Sequence, residues 1–311
     1  MKQARVATPA PPPFPSSLDA LTLGSAADYL ALTKPRVVAM ILLVTMAGFI
    51  LGSSGSILSL DWLLLAQTLF GTALVAGGTL ALNMYLERDI DARMRRTLKR
   101  PLPAGRMQPI EALAFGCALA GTGLLYLMLA VGPVSSLVTS LTVITYLFFY
   151  TPMKPRSALC TVMGAFPGAL PPITGWVAAG GVLGVRAAVV FGILFFWQLP
   201  HSLAIAHLYR EDYDRAGVKL LPTVDRAGGS TGRQTVLNCL ALMAVAMLPT
   251  VLGMTGWISF VVGLAAGGWL LWEGIALARY DTTARARRLL LSSYAYIPAV
   301  LVTMAFDKVV R

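Results

Sequence analysis

The chain reads as an all-α membrane protein that crosses the bilayer nine times, and three features say so. Hydrophobic residues fill 57% of the 311 positions and charged residues only 13%, a balance outside that of soluble globular domains. Apolar runs long enough to span a hydrocarbon core of ~30 Å recur along the whole length. The 25 Lys and Arg residues are distributed unevenly among the segments between those runs.

In order, the runs lie near 36–54, 61–84, 109–131, 133–150, 158–180, 183–208, 235–253, 256–277 and 289–305. The fifth and sixth contain Pro167, Pro171, Pro172 and Pro200, which a membrane helix tolerates when neighbours or water satisfy the freed carbonyls. Their ends are the least defined by sequence. A cytoplasmic N-terminus puts 22 of the 25 cationic residues in inside segments and leaves only Arg186, Lys308 and Arg311 outside, so the predicted orientation is N-in, C-out. The net charge of +11 is therefore a topology signal. It calls for no nucleic-acid partner, although basic loops also favour anionic headgroups and phosphorylated ligands. Residues 1–27 are rich in Pro and Ser and lack an apolar h-region, so they read as a disordered cytoplasmic tail ahead of one transmembrane domain at 28–311. Cys117, Cys160 and Cys239 are scattered through predicted spans without C-x-x-C pairing, which argues against a disulfide framework or a thiolate metal site.

An internal repeat organises the domain. Lys34-Pro35-Arg36 opens the first span and Lys154-Pro155-Arg156 the fifth, 120 residues apart. The same shift carries Glu87 and Asp91 onto His207 and Glu211, and Pro103 to the neighbour of Pro222. An even number of spans separates the copies, so the halves, about 30–150 and 151–275, are parallel four-helix units around a central cavity.

The polar residues concentrate at two helix ends on the predicted cytoplasmic side. Asn83, Glu87 and Asp91 follow about twenty apolar residues at i, i+4 and i+8, drifting only about 80° around a helix. They form one oxygen-rich stripe, from which Asp89 points away. Arg93, Arg95, Arg96, Lys99 and Arg100 follow at once. Such a stripe suits a hard divalent cation carrying a phosphorylated ligand; it also suits a solvated helix end, where charges commonly gather. Six of the fourteen acids, Glu87, Asp89, Asp91, Glu211, Asp212 and Asp214, lie at these two ends. A metal bridge from the stripe across to Asp212 explains that concentration, and so does ion pairing with the adjacent arginines.

Together these residues resemble the UbiA-type intramembrane prenyltransferases, and within them the protohaem IX farnesyltransferase branch. The first half carries Leu32-Thr33-Lys34-Pro35-Arg36-Val37, the run from Asn83 to Met94, and Arg100-Pro101-Leu102-Pro103-Ala104-Gly105-Arg106. The second carries Tyr150-Thr151-Pro152, the run from Gly168 to Trp176, Trp197-Gln198-Leu199-Pro200-His201, and Tyr209-Arg210-Glu211-Asp212-Tyr213. The stripe alone indicates the superfamily; the E-R-D-I-D-A-R-M and W-Q-x-P-H runs indicate the haem branch. Members acting on quinone precursors carry a second D-x-x-x-D, whereas here Asp212 is followed four residues later by Ala216 and Glu211 by Arg215.

The resemblance implies Mg²⁺-dependent transfer of a farnesyl group from farnesyl diphosphate to a vinyl group of protohaem IX, with addition of water, giving a hydroxyethylfarnesyl haem and diphosphate. Metal ions and fixed cations draw off the diphosphate by stabilising charge on its leaving oxygens. Under that reading Asn83, Glu87, Asp91 and Asp212 hold the metal, and Arg100, Arg106, Lys154 and Arg156 hold the diphosphate. Arg95, Arg96 and Lys99 are solvated loop charge. His201 is the candidate haem contact, with a buried, hydrogen-bonded structural role as the alternative. Tyr146 and Tyr150 share a face of the fourth span, as packing residues or as π-faces toward a cation. The resemblance also implies the bacterial inner membrane, an active site toward the cytoplasm, and association with haem A synthase or terminal oxidase assembly.

Two other functions fit parts of the pattern. A prenyltransferase using an aromatic acid or quinone precursor shares the stripe but not the haem-branch runs. A secondary transporter shares parallel repeats and broken helices, but the mid-membrane segments carry no acid apart from Glu273.

Overall fold

The computed structural model describes residues 24–225 and 229–310, so most of the expected tail, residues 1–23, lies outside the described residues. Its last residues belong to the folded body. Ser25 accepts from the Asp28 amide while the Asp28 carboxylate accepts from the Ser25 amide, a reciprocal cap that starts helix α1, Ala26–Thr33. Lys34 then turns the chain at φ 49°, and Pro35 opens α2, Pro35–Gly52, where its missing N–H costs nothing. Asp61 caps α3, Trp62–Leu86, by accepting from the Leu64 amide at 2.9 Å.

A short helix α4, Arg88–Asp91, leads through a series of turns to α5, Pro109–Tyr126, which continues as a π turn over Leu127–Val131. Helix α6, Pro133–Ile144, likewise runs through a π turn, Thr145–Tyr150, into α7, Thr151–Met153. Beyond the break come α10, Val185–Leu208; α11, Arg210–Arg215; α12, Leu221–Val224; α13, Gly229–Val251; α14, Trp257–Tyr280; and α15, Thr283–Phe306.

Among the described residues, eight helices are long and apolar enough to cross a membrane, and they match eight of the nine expected spans. The fifth differs. In place of one helix over 158–180 there are two short ones, α8, Cys160–Gly168, and α9, Pro171–Ala178. Pro171 and Pro172 cannot donate to the carbonyls of the preceding turn, so the helix restarts with Pro171 at its first position. The second of the pair, α9, packs along α2: Gly48 abuts the Pro172 carbonyl, Gly52 abuts Trp176 and Gly175 abuts the Thr45 carbonyl. No Cβ fits at these positions, which lets the two backbones approach as small residues do in membrane helix pairs.

The packing order runs in parallel through the two halves. In the first, α2 packs on α3, α3 on α5 and α5 on α6; in the second, α8 packs on α10, α10 on α13 and α13 on α14. Helix α15 closes the bundle against α10, α14 and α2. The largest apolar cluster joins both halves, from Val44 and Val138 through Ile173, Ile193 and Leu242 to Ile297. At the far end Lys308 donates to the carbonyls of Ile50, Ser53 and Gly55, satisfying the C-terminus of α2 from the end of α15.

Candidate active site

A cavity of about 740 Å³ lies between the halves, within the ~300–1,000 Å³ typical of ligand sites. Its body is lined by Val44, Val75, Leu80, Leu194 and Ile297, and toward the basic end by Arg36, Tyr146, Tyr150 and Tyr213.

The stripe survives the end of α3 because the helical spacing does. The Glu87 amide donates to the Asn83 carbonyl at 2.9 Å and the Asp91 amide to the Glu87 carbonyl at 2.7 Å. Asn83, Glu87 and Asp91 are all buried, at 1%, 6% and 1% exposure, so they are not a solvated helix end, whereas Asp89 is exposed. Each acid has a cation. Lys154 pairs with Glu87 from the other half, and Arg100 meets Asp91 Oδ2 at 2.5 Å. Asp91 Oδ1 is buried and has no hydrogen-bond partner among the described residues. Asn83 Nδ2 donates to Thr151 Oγ1 at 3.2 Å, and Thr151 in turn donates to the Tyr146 carbonyl at 2.9 Å. That carbonyl lies in the π turn of α6, an irregularity common at functional sites.

Electrostatics bind these groups into one unit. Burial pushes the Glu87 carboxyl up, but the charge and hydrogen bond of Lys154, with Lys34 and Asn83, hold it below the ordinary value. Burial likewise works against charge on Lys154, yet Tyr150, Glu87 and Tyr146 hold its ammonium well above the usual lysine range. Its Nζ also sits 4.5 Å from the centre of the Tyr150 ring. The Asp91 carboxyl is pushed up by burial, against the pull of Arg100. Lys34 is lowered to about 7, by desolvation first and then by Arg100 and Lys154, with Glu87 and Asp91 opposing. Thus the two lysines of the repeated Lys-Pro-Arg triplets share one electrostatic site.

Other expected site residues lie elsewhere. Arg106 Nε is held by Asp28 at 2.8 Å and its guanidinium also donates to the Lys99 carbonyl. Arg156 is exposed and its side chain has no polar partner among the described residues. Asp212 does not meet the stripe; its carboxylate accepts from the Arg95 and Arg96 amides at 3.3 Å each and from Arg215 at 2.9 Å. Those bonds outweigh burial and lower its pKa. Arg96, though exposed, also has partners: it donates to the Tyr213 hydroxyl at 2.7 Å and lies over the Tyr209 and Tyr213 rings. The Arg95–Arg96 loop is thereby tied to α11. Among the described residues no three His, Cys, Asp or Glu side chains form a metal cluster on their own.

His201 lines the cavity. Its ring stacks on Trp197, centroids 4.9 Å apart, and Nδ1 lies 2.8 Å from Ser293 Oγ. His207 is buried elsewhere, 3.5 Å from Asp281. The sequence pattern does not single out Thr151, although it lies in the quoted Tyr-Thr-Pro run, and it does not place Lys34 among the diphosphate contacts.

Comparison with known proteins agrees with this architecture. The description of the UbiA prenyltransferase family matches residues 41–297. A curated protein of Solibacter usitatus (strain Ellin6076), named "Protoheme IX farnesyltransferase", is 43% identical, covering 90% of this chain and 98% of the relative. Among solved structures, one described as concerning digeranylgeranylglyceryl phosphate synthase in membranes superposes with a TM-score of 0.73 at 16% identity, over 90% of this chain and 97% of the other. A UbiA homolog from Archaeoglobus fulgidus bound to GPP and Mg²⁺ superposes with a TM-score of 0.61 at 16% identity, over 89% and 99%. At those identities the superpositions speak for the fold alone. With its apolar cavity, its buried acidic stripe and a family match over most of its length, the chain belongs to the UbiA prenyltransferase family.

Proposed function

We propose that this enzyme transfers the farnesyl group of farnesyl diphosphate to a vinyl carbon of protohaem IX, with water adding to give a hydroxyethylfarnesyl haem and diphosphate. The observation that carries this reading is the neighbourhood of the cavity: the buried acids Glu87 and Asp91 are paired with Lys154 and Arg100, and Lys154 lies against the Tyr150 ring, which lines an apolar chamber between the two halves. The acceptor follows from the haem-branch runs and the name of the 43% identical relative.

The donor set fits Mg²⁺. An amide oxygen and two carboxylates, one of them with the unpartnered Asp91 Oδ1, are the hard ligands such an ion takes, and diphosphate oxygens and water complete its shell. Asn83, Glu87 and Asp91 hold the metal in this reading, and when bound it neutralises charge on the leaving diphosphate. Lys34, Lys154 and Arg100 take the remaining diphosphate charge, Lys154 and Arg100 giving up their contacts to the carboxylates as substrate arrives. Arg36 lines the cavity close by in sequence. Asp212 serves by holding the Arg95–Arg96 loop against α11, while Arg106 secures α1.

The chain's own groups also govern the reactive carbon. Tyr146 and Tyr150 line the cavity with ring centres 5.3 Å apart, and their π-faces favour a developing allylic cation. The apolar walls keep water away until the vinyl group is in reach.

In this reading the halves are pseudo-repeats, the broken α8–α9 segment counts as a ninth crossing, and the N-terminus and the basic mouth face the cytoplasm across a bacterial inner membrane. The lipid-tailed product remains in the bilayer, available to haem A synthase or terminal oxidase assembly. The test offers purified protein, in lipid with labelled farnesyl diphosphate and Mg²⁺, protohaem and 4-hydroxybenzoate in parallel. Label appearing on haem alone, and lost on chelation, is the expected result. Label on the aromatic acid assigns the quinone-precursor reaction, and accumulation inside vesicles without diphosphate release assigns transport.

A further inference from the structure

Ser293 on α15 makes two contacts through one hydroxyl. Its Oγ lies 2.6 Å from the Leu290 carbonyl and 2.8 Å from His201 Nδ1. A carbonyl only accepts, so the single hydroxyl proton is committed to Leu290 and the oxygen must accept from histidine. In the neutral imidazole the proton therefore sits on Nδ1 and the lone pair on Nε2. Nε2 has no hydrogen-bond partner among the described residues and is not one of the buried unpaired atoms.

The ring is fixed from three sides. Trp197 stacks on it at an interplanar angle of 21°, and Tyr294 meets it edge-on with centroids 5.1 Å apart. Trp197 Nε1 is itself tied to the Ser293 carbonyl at 2.9 Å. One serine thus orients the histidine through its hydroxyl and the stacking partner through its carbonyl. A histidine that donates one N–H to a fixed acceptor and leaves the other nitrogen free facing a cavity has the arrangement of a metal-ligating imidazole.

We infer that Ser293 is a positioning residue that locks His201 in the Nδ1–H tautomer, presenting Nε2 as an axial ligand to the iron of the bound haem acceptor. This rests on protohaem being the acceptor. The hydrogen bond also increases the electron density that the ring offers the iron.

The test titrates ferrous haem b into purified wild type, Ser293→Ala, Ser293→Thr and His201→Ala in lipid nanodiscs, reading the iron–histidine stretch by resonance Raman. The band is expected in wild type and Ser293→Thr and absent in His201→Ala. In Ser293→Ala it should fall in frequency, with haem binding weakened about tenfold. Farnesyl diphosphate binding should be unchanged in all four, which reports that each is folded. No band in wild type, or the same band and affinity in Ser293→Ala, overturns the inference. Farnesyl transfer to haem by the same wild-type sample separates the two readings: transfer with an unaltered Ser293→Ala spectrum removes only the role of Ser293, whereas no transfer removes the acceptor itself.

Discussion

Lys154, from the second half of the chain, is ion-paired with buried Glu87, from the first, and its ammonium lies against the ring of Tyr150, which lines the cavity. A buried pair of this kind adds little net stability, but removing one partner strands the other, at a cost of ~3–5 kcal/mol.

The single variants Lys154→Met and Glu87→Gln are therefore expected to lower the thermal midpoint, and the double variant to recover most of the loss. Activity should not recover, because the diphosphate has lost a cation and the metal a ligand. A thermal-shift series alongside farnesyl transfer measures both. A double variant that regains turnover would show the pair to be merely structural.

Asp91→Asn should reduce turnover by roughly 10²–10³-fold, the scale for loss of one fixed electrostatic group, while leaving the fold intact. Asp89→Asn, on the exposed side of α4, should change activity little. Equal losses in the two would refute a one-sided stripe.

Lys34 carries a pH signature. With a pKa of about 7, its amine is mostly neutral at pH 8 and charged at pH 6. An arriving diphosphate favours the charged form and raises the pKa. Metal-free binding of farnesyl diphosphate should then take up a proton at pH 8 but almost none at pH 6. Calorimetry in two buffers of different ionisation heat detects this, and Lys34→Met should abolish it. Equal proton uptake by Lys34→Met and wild type would remove Lys34 from the site.

Much of this site could be read from the sequence, because most of it is local. The stripe depends on the spacing of Asn83, Glu87 and Asp91 along one helix end, and eight spans depend on uninterrupted apolar runs. The fifth span was misread as one helix because hydropathy does not register what Pro171 and Pro172 do to the preceding turn. Thr151 escaped because a π turn just before it departs from the 3.6-residue period used to assign faces. The pairing of Arg106 with Asp28 was not legible because the two are 78 residues apart. Ser293 is separated from His201 by 92 residues, and no local pattern links them.

The close approach of α2 and α9 also makes a prediction. Gly175→Val drives a side chain into the Thr45 carbonyl and the Phe49 amide, and overpacking of this kind costs ~1–3 kcal/mol or more. Gly121→Val, where an added Cβ meets nothing within 4 Å, should be tolerated far better. Comparable melting of the two in detergent would contradict the tight helix interface.

The most direct measurement is mass spectrometry of haems extracted from cells that make only protohaem and express this chain. Wild type should yield a haem heavier by one farnesyl group and one water, and Asp91→Asn should yield protohaem with at most a trace of that product. Unmodified haem from wild-type cells, or a prenylated aromatic acid in its place, would contradict the account.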